Sequence, residues 1–234
     1  MKRLIGMSLI TIALVTSLIT GTKGIVLAEA NDSAATQAIV TVNEGGGEDP
    51  DSPTPPLIEP SDPDDILVPP SSLGLQYASH FDFGRIKIGG AMIDQHPTNQ
   101  VTTEDGKTVD VQYGVQVRDF RGNGLGWKIK VALSEFTGKD NRDNRLTGAE
   151  LVLPAGKVKS SGTEVPAKEY PTAKAVKLAA DGSISELFTA QEGQGMGIWA
   201  NIWTKEQIHL KAPGNQYSGN YEATITWILQ DTPA

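Results

Sequence analysis

Three histidines, His80, His96 and His209, are the only imidazoles in the chain, and proton transfer or metal ligation near neutral pH would have to start from them. None stands in a ligand spacing such as His-Glu-x-x-His, and no Gly-x-Ser-x-Gly elbow accompanies them. His96 precedes Pro97 and reads as a loop residue. Asp82 and Asp119 could be imagined as the two carboxylates of a glycoside hydrolase. With 28 acidic residues in the chain, however, some pair always looks suitable, and nothing in the sequence says that these two face each other. Asp140-Asn141-Arg142-Asp143-Asn144 resembles the opening of a calcium loop, but Arg142 takes the third position and no glycine follows at the sixth, so a solvated turn fits better. Gly193-Gln194-Gly195-Met196-Gly197 lacks dinucleotide spacing and a following helix, and reads as a tight bend before a strand. Cysteine is absent, which excludes disulfides, thiol nucleophiles and thiolate metal sites. The expectation is a protein that is not an enzyme and carries no catalytic residue, no metal and no cofactor.

The four tryptophans, Trp127, Trp199, Trp203 and Trp227, remain as candidates for recognition. An indole stacks on the apolar face of a sugar while its N–H donates a hydrogen bond, so tryptophans on an exposed sheet would suit glycan binding. Trp127 and Trp227 lie on the apolar faces of their predicted strands and are expected in the core. Trp199 and Trp203 fit either role and are kept as candidate glycan contacts.

The elements that would position these rings are strands. The last segment, 221–229, alternates Tyr221, Ala223, Ile225, Trp227 and Leu229 with Glu222, Thr224, Thr226 and Ile228, the period-2 pattern of a half-buried strand. Residues 75–88 contain Phe81 to Ile88 in alternation interrupted at Gly84. Residues 108–120 place Val109, Val111, Tyr113, Val115 and Val117 on one face. The run Gly122-Asn123-Gly124-Leu125-Gly126 then leads into Trp127-Lys128-Ile129-Lys130-Val131-Ala132-Leu133, which suggests a hairpin. Further strands are expected at 149–153, 174–178, 197–204 and 208–211. Many short strands between Gly, Pro, Asn and Asp, with no sustained 3.6-residue period, predict an all-β antiparallel sandwich or barrel-like domain.

The 234 residues carry a formal charge of −8 with a pI near 4.9, which argues against a nucleic-acid partner because phosphate binding rests on clustered Lys and Arg. Lys2 and Arg3 precede an apolar run to Ile19, and small residues follow, so 1–30 reads as a signal peptide cleaved after Ala28 or Ala30. No membrane association is expected after cleavage. Residues 31–70 are acidic, Pro/Gly-rich and free of aromatics, and are expected to form a disordered linker to a domain over 71–234.

Two tryptophan motifs, Trp127-Lys128-Ile129 and Trp227-Ile228-Leu229, carry a family resemblance. The second closes a Tyr-x-Gly-x-Tyr-x-Ala-x-Ile-x-Trp-x-Leu strand, and the first follows Val117-Arg118-Asp119-Phe120-Arg121 and Gly126. With Leu146-Thr147-Gly148-Ala149 and the glycine-rich bend before Trp199, this resembles the WxL domain of Gram-positive surface proteins from about Leu75 onward. Ile129 stands where the family usually has Leu, a swap of similar volume. The resemblance implies a secreted protein held non-covalently on the cell wall through peptidoglycan or an attached polymer, often beside other surface proteins. The absence of a Cys for lipidation and of an LPxTG-type motif agrees with attachment by binding. The alternative is an interaction subunit whose wall contact runs through another surface protein.

Overall fold

The computed structural model describes residues 35–37, 57–62, 65–67 and 72–231; the signal peptide expected over 1–30 lies outside them. The described strands are β1 (Ala35–Gln37), β2 (Ile66–Leu67), β3 (Leu73–Ala78), β4 (Ile93–Gln95), β5 (Gln100–Thr102), β6 (Thr108–Asp110), β7 (Tyr113–Asp119), β8 (Trp127–Leu133) and β9 (Thr137–Gly138). They continue as β10 (Glu150–Leu153), β11 (Lys157–Ser160), β12 (Thr172–Ala173), β13 (Val176–Ala179), β14 (Ile184–Ala190), β15 (Gly197–Trp203), β16 (His209–Ala212), β17 (Tyr221–Glu222) and β18 (Ile225–Gln230). The described residues contain no α-helix, only 3-10 turns at Ala167–Glu169 and Lys205–Gln207, and no helix long and apolar enough to cross a membrane.

Two five-stranded sheets face each other. One is ordered β1-β18-β8-β14-β12, the other β11-β15-β7-β3-β2, and a four-stranded sheet β13-β10-β16-β4 adjoins them. Every ladder between the described strands is antiparallel, in line with the expected antiparallel all-β fold. Alternation explains the core. Trp127, Ile129, Val131 and Leu133 of β8, Ile225, Trp227 and Leu229 of β18, and Tyr113, Val115 and Val117 of β7 all enter one hydrophobic cluster, joined by Leu151 and Leu153 of β10.

Three local expectations are corrected. Strands β7 and β8 do not form a hairpin: β7 pairs with β15 and β3, and β8 with β14 and β18. The five residues from Gly122 to Gly126 carry the chain from one sheet to the other. The bend is fixed by Gly126 at φ +78, where a Cβ would stand 2.3 Å from the Ala190 carbonyl oxygen. Residues 81–88 are not a strand. Phe81 and Phe83 alternate because both rings pack on the core from a loop, Phe81 stacking on Tyr113 at 5.4 Å. Finally, the packed body begins before Ser71. Ile58 is fully buried, Leu57 N–H donates to Gln116 Oε1 at 2.7 Å, and Gln112 N–H donates to the Pro60 carbonyl at 2.7 Å, so 57–62 form a strap over the outer face of the second sheet. Gly114 lies beneath it, where a Cβ would meet Ile58 Cδ1 at 2.7 Å.

Candidate functional site

The two tryptophan motifs lie on neighbouring strands. Strand β18 runs against β8 with Trp227 opposite Val131, Ile228 opposite Lys130 and Leu229 opposite Ile129. Trp127, Ile129, Trp227 and Leu229 point inward and are at most 2% exposed. Trp127 meets Phe188 edge-on at 5.0 Å and donates its indole N–H to the Gly195 carbonyl at 3.0 Å.

The middle residues point outward. Ile228 is half-buried, whereas the Lys128 stem is covered and its ammonium lies 3.3 Å from Glu186 Oε2. Lys174 also donates to Glu186. The Lys174 hydrogen bond, with the Lys128 ammonium beside it, holds the Glu186 carboxyl at about 2. Because this folded value lies below the ordinary carboxylate range, the folded state binds fewer protons than the unfolded one. The pairing thus adds stability above about pH 4.5 that is lost as pH falls towards 2. Urea midpoints measured from pH 7 down to 2 are expected to fall less steeply in Glu186→Gln than in the parent chain.

Trp199 and Trp203 are not glycan contacts. They are 1% and 0% exposed, and their N–H groups donate to the Met196 and Pro154 carbonyls at 2.9 and 2.7 Å. Both face the core from β15, so their rings present nothing to a polymer outside. The glycine-rich bend before β15 does what its spacing suggests, reversing the chain at Gly193, Gly195 and Gly197 with positive φ.

The imagined carboxylate pair is far apart. Asp119 ends β7 in a buried ion pair with Arg121, whereas the Asp82 N–H bonds Asn99 Oδ1 beside the Tyr113 hydroxyl at the strand's other end. Seven residues of strand separate those ends by roughly 20 Å, beyond the spacing of glycosidase carboxylates.

Composition gave no sign of a second polar cluster. Asp65, placed by its sequence in the expected linker over 31–70, is 7% exposed and accepts from the Tyr77 hydroxyl, from His80 N–H at 2.9 Å and from His80 Nδ1 at 2.9 Å. Asn99 Nδ2 reaches both His80 Nε2 at 2.8 Å and Asp62 Oδ2 at 3.0 Å. Burial, reinforced by the Asp65 charge, pushes the Tyr77 hydroxyl well above its ordinary value, which keeps it a donor. This network latches the strap to β3.

A polar cleft of about 350 Å3 opens elsewhere, lined by Gln95, His96, Pro97, Thr98, Gln100, Asp110 and Lys205. Lys205 pairs with Asp110, and Gln100 Nε2 donates to Asp110 Oδ1 at 2.9 Å. The Lys205 hydrogen bond, with that of Gln100, holds the Asp110 carboxyl below its usual range. An ammonium, a carboxylate, two amides and a hydroxyl thus converge on one concave surface, a donor and acceptor set suited to sugar hydroxyls and peptide amides. None of these residues shares a sequence motif, and the cleft was not foreseen.

A family model described as "WxL domain surface cell wall-binding" matches residues 29–233. No curated protein and no solved structure matches the chain.

Proposed function

Since the chain belongs to the WxL family of surface cell wall-binding domains, we propose that it attaches non-covalently to the Gram-positive cell wall by binding peptidoglycan, as a secreted module without catalytic activity. The family match over nearly the whole chain carries this reading. The polar cleft beside Lys205 supports it, because its mixed donors and acceptors are those a glycan strand or stem peptide needs. Sedimentation with purified sacculi tests it. The chain is expected in the pellet at physiological salt, with the double variant Gln100→Ala and Lys205→Ala shifting towards the supernatant. A parent chain that stays in the supernatant overturns the proposal.

One observation favours a second reading, recruitment of another surface protein. Phe120, Leu125 and Met196 are 52%, 48% and 46% exposed. Leu125 and Met196 sit on two glycine-rich loops tied by the Gly193 N–H bond to the Gly124 carbonyl at 2.8 Å. Arg118 covers the Phe120 ring at 4.3 Å. Apolar side chains held out on pinned loops suit a protein partner. Binding to intact cells without binding to sacculi would select this reading over the first.

A further inference from the structure

On the four-stranded sheet, β16 runs against β4 with Leu210 opposite Gln95, Lys211 opposite Asp94 and Ala212 opposite Ile93. One step further along that register brings His209 opposite His96, and their ring centres lie 4.5 Å apart at 58°. Directly opposed residues on an antiparallel pair are near enough for their side chains to act together.

Each δ nitrogen is already engaged. His96 Nδ1 lies 2.9 Å from the Ile208 carbonyl oxygen, and His209 Nδ1 lies 2.7 Å from Asp94 Oδ1. Both partners accept, so both δ nitrogens carry the proton, and in the neutral rings both ε nitrogens keep a lone pair. A backbone carbonyl and a carboxylate are also the groups that commonly fix the tautomer of metal-binding imidazoles.

We propose that His96 and His209 form a binding site for a divalent transition-metal ion, Zn2+, Ni2+ or Cu2+, held between their ε nitrogens. A ring-centre separation of 4.5 Å leaves room for one ion about 2.0–2.1 Å from each nitrogen. Imidazole donors select these ions over Ca2+ and Mg2+, which require oxygen. Among the described residues no group of three His, Cys, Asp or Glu forms, so the two rings are the ligands proposed and the other positions fall to water or to an oxygen of a bound molecule. Since His96 also lines the polar cleft, the ion would lie at its edge. The sequence hides the pair because 113 positions separate the two histidines.

Titration of the untagged chain with Zn2+ against a chromogenic chelator tests the site. One equivalent is expected to bind, Cu2+ more tightly than Zn2+, and Ca2+ and Mg2+ are not expected to compete. Asp94→Asn is expected to weaken binding about tenfold through loss of the second shell, and His96→Ala and His209→Ala each by more. Zn2+ is expected to raise the melting temperature of the parent chain by mass action but not that of the double histidine variant. Both rings are partly exposed, so that variant without metal is expected to keep a cooperative melt close to that of the parent, which separates a lost site from a lost fold. Failure of the parent to bind Zn2+, or undiminished binding by the double variant, overturns the proposal. Neither result depends on whether sacculi are bound.

Discussion

Replacing Trp227 by alanine is expected to lower stability by about 3–5 kcal/mol, the range of a large aromatic cut from a packed core. The ring is fully buried, flanked through its strand by Ile225 and Leu229 and set opposite Val131 of β8. Its indole nitrogen, unlike the other three, has no hydrogen-bond partner among the described residues. Trp227→Phe therefore removes volume without stranding an acceptor. Trp127→Phe, Trp199→Phe and Trp203→Phe deprive the Gly195, Met196 and Pro154 carbonyls of their donors, a further cost of about 1–3 kcal/mol each where the carbonyl stays buried. Urea titrations of the four phenylalanine variants should leave Trp227→Phe the most stable. Wall binding by Trp227→Ala is expected to fall only as the fold is lost. A variant that keeps its melting temperature while losing wall binding would make this ring a contact residue and contradict its burial.

The strands legible in the sequence are those with one wet face. Alternation identified β18, β8 and the core face of β7 because Trp, Ile, Val and Leu recur every second residue against polar neighbours. It failed where burial is two-sided. In β7 Gln116 is as buried as Val115, because the strap lies over the outer face and the Gln116 amide accepts from Leu57. That covering also explains why an aspartate of an acidic, proline-rich run ends up buried: Asp65 is paid for by Tyr77 and His80, whose positions 12 and 15 residues away no local pattern connects to it. The hairpin expectation failed for a different reason. Glycines predict that the chain turns but not which sheet it enters next, and the two partners of β8, β14 and β18, lie far downstream in the chain. The cleft and the histidine pair are assembled from β4 and the loop after it, β5, β6, β16 and the turn at Lys205, so their members share neither period nor motif.

The second large effect is expected at Asp119 and Arg121, which sit where the chain leaves β7 for β8. Asp119 is 1% exposed, and Arg121 grips it with Nε to Oδ1 and Nη2 to Oδ2, both at 2.9 Å. The same guanidinium donates to the Gly126 carbonyl at 2.7 Å and to the Asp231 carbonyl at 3.3 Å, joining the bend before Trp127 to the chain beyond β18. Arg121→Ala leaves a carboxylate buried without its counter-charge and is expected to cost about 3–5 kcal/mol. Asp119→Ala should be of similar size, because it strands the guanidinium. Arg121→Lys should recover little, since an ammonium cannot make the forked contact and reach two carbonyls as well. The double variant Asp119→Ala and Arg121→Ala removes both charges together and is expected to cost clearly less than the sum of the single changes. If the two costs simply add, the pair is not the coupled unit its geometry describes. Coupling has a spatial signature too. Amide exchange in Arg121→Ala should accelerate first at Trp127 and at Leu229 and Gln230, because the guanidinium ties the entry of one tryptophan strand to the exit of the other, so that both motifs open together.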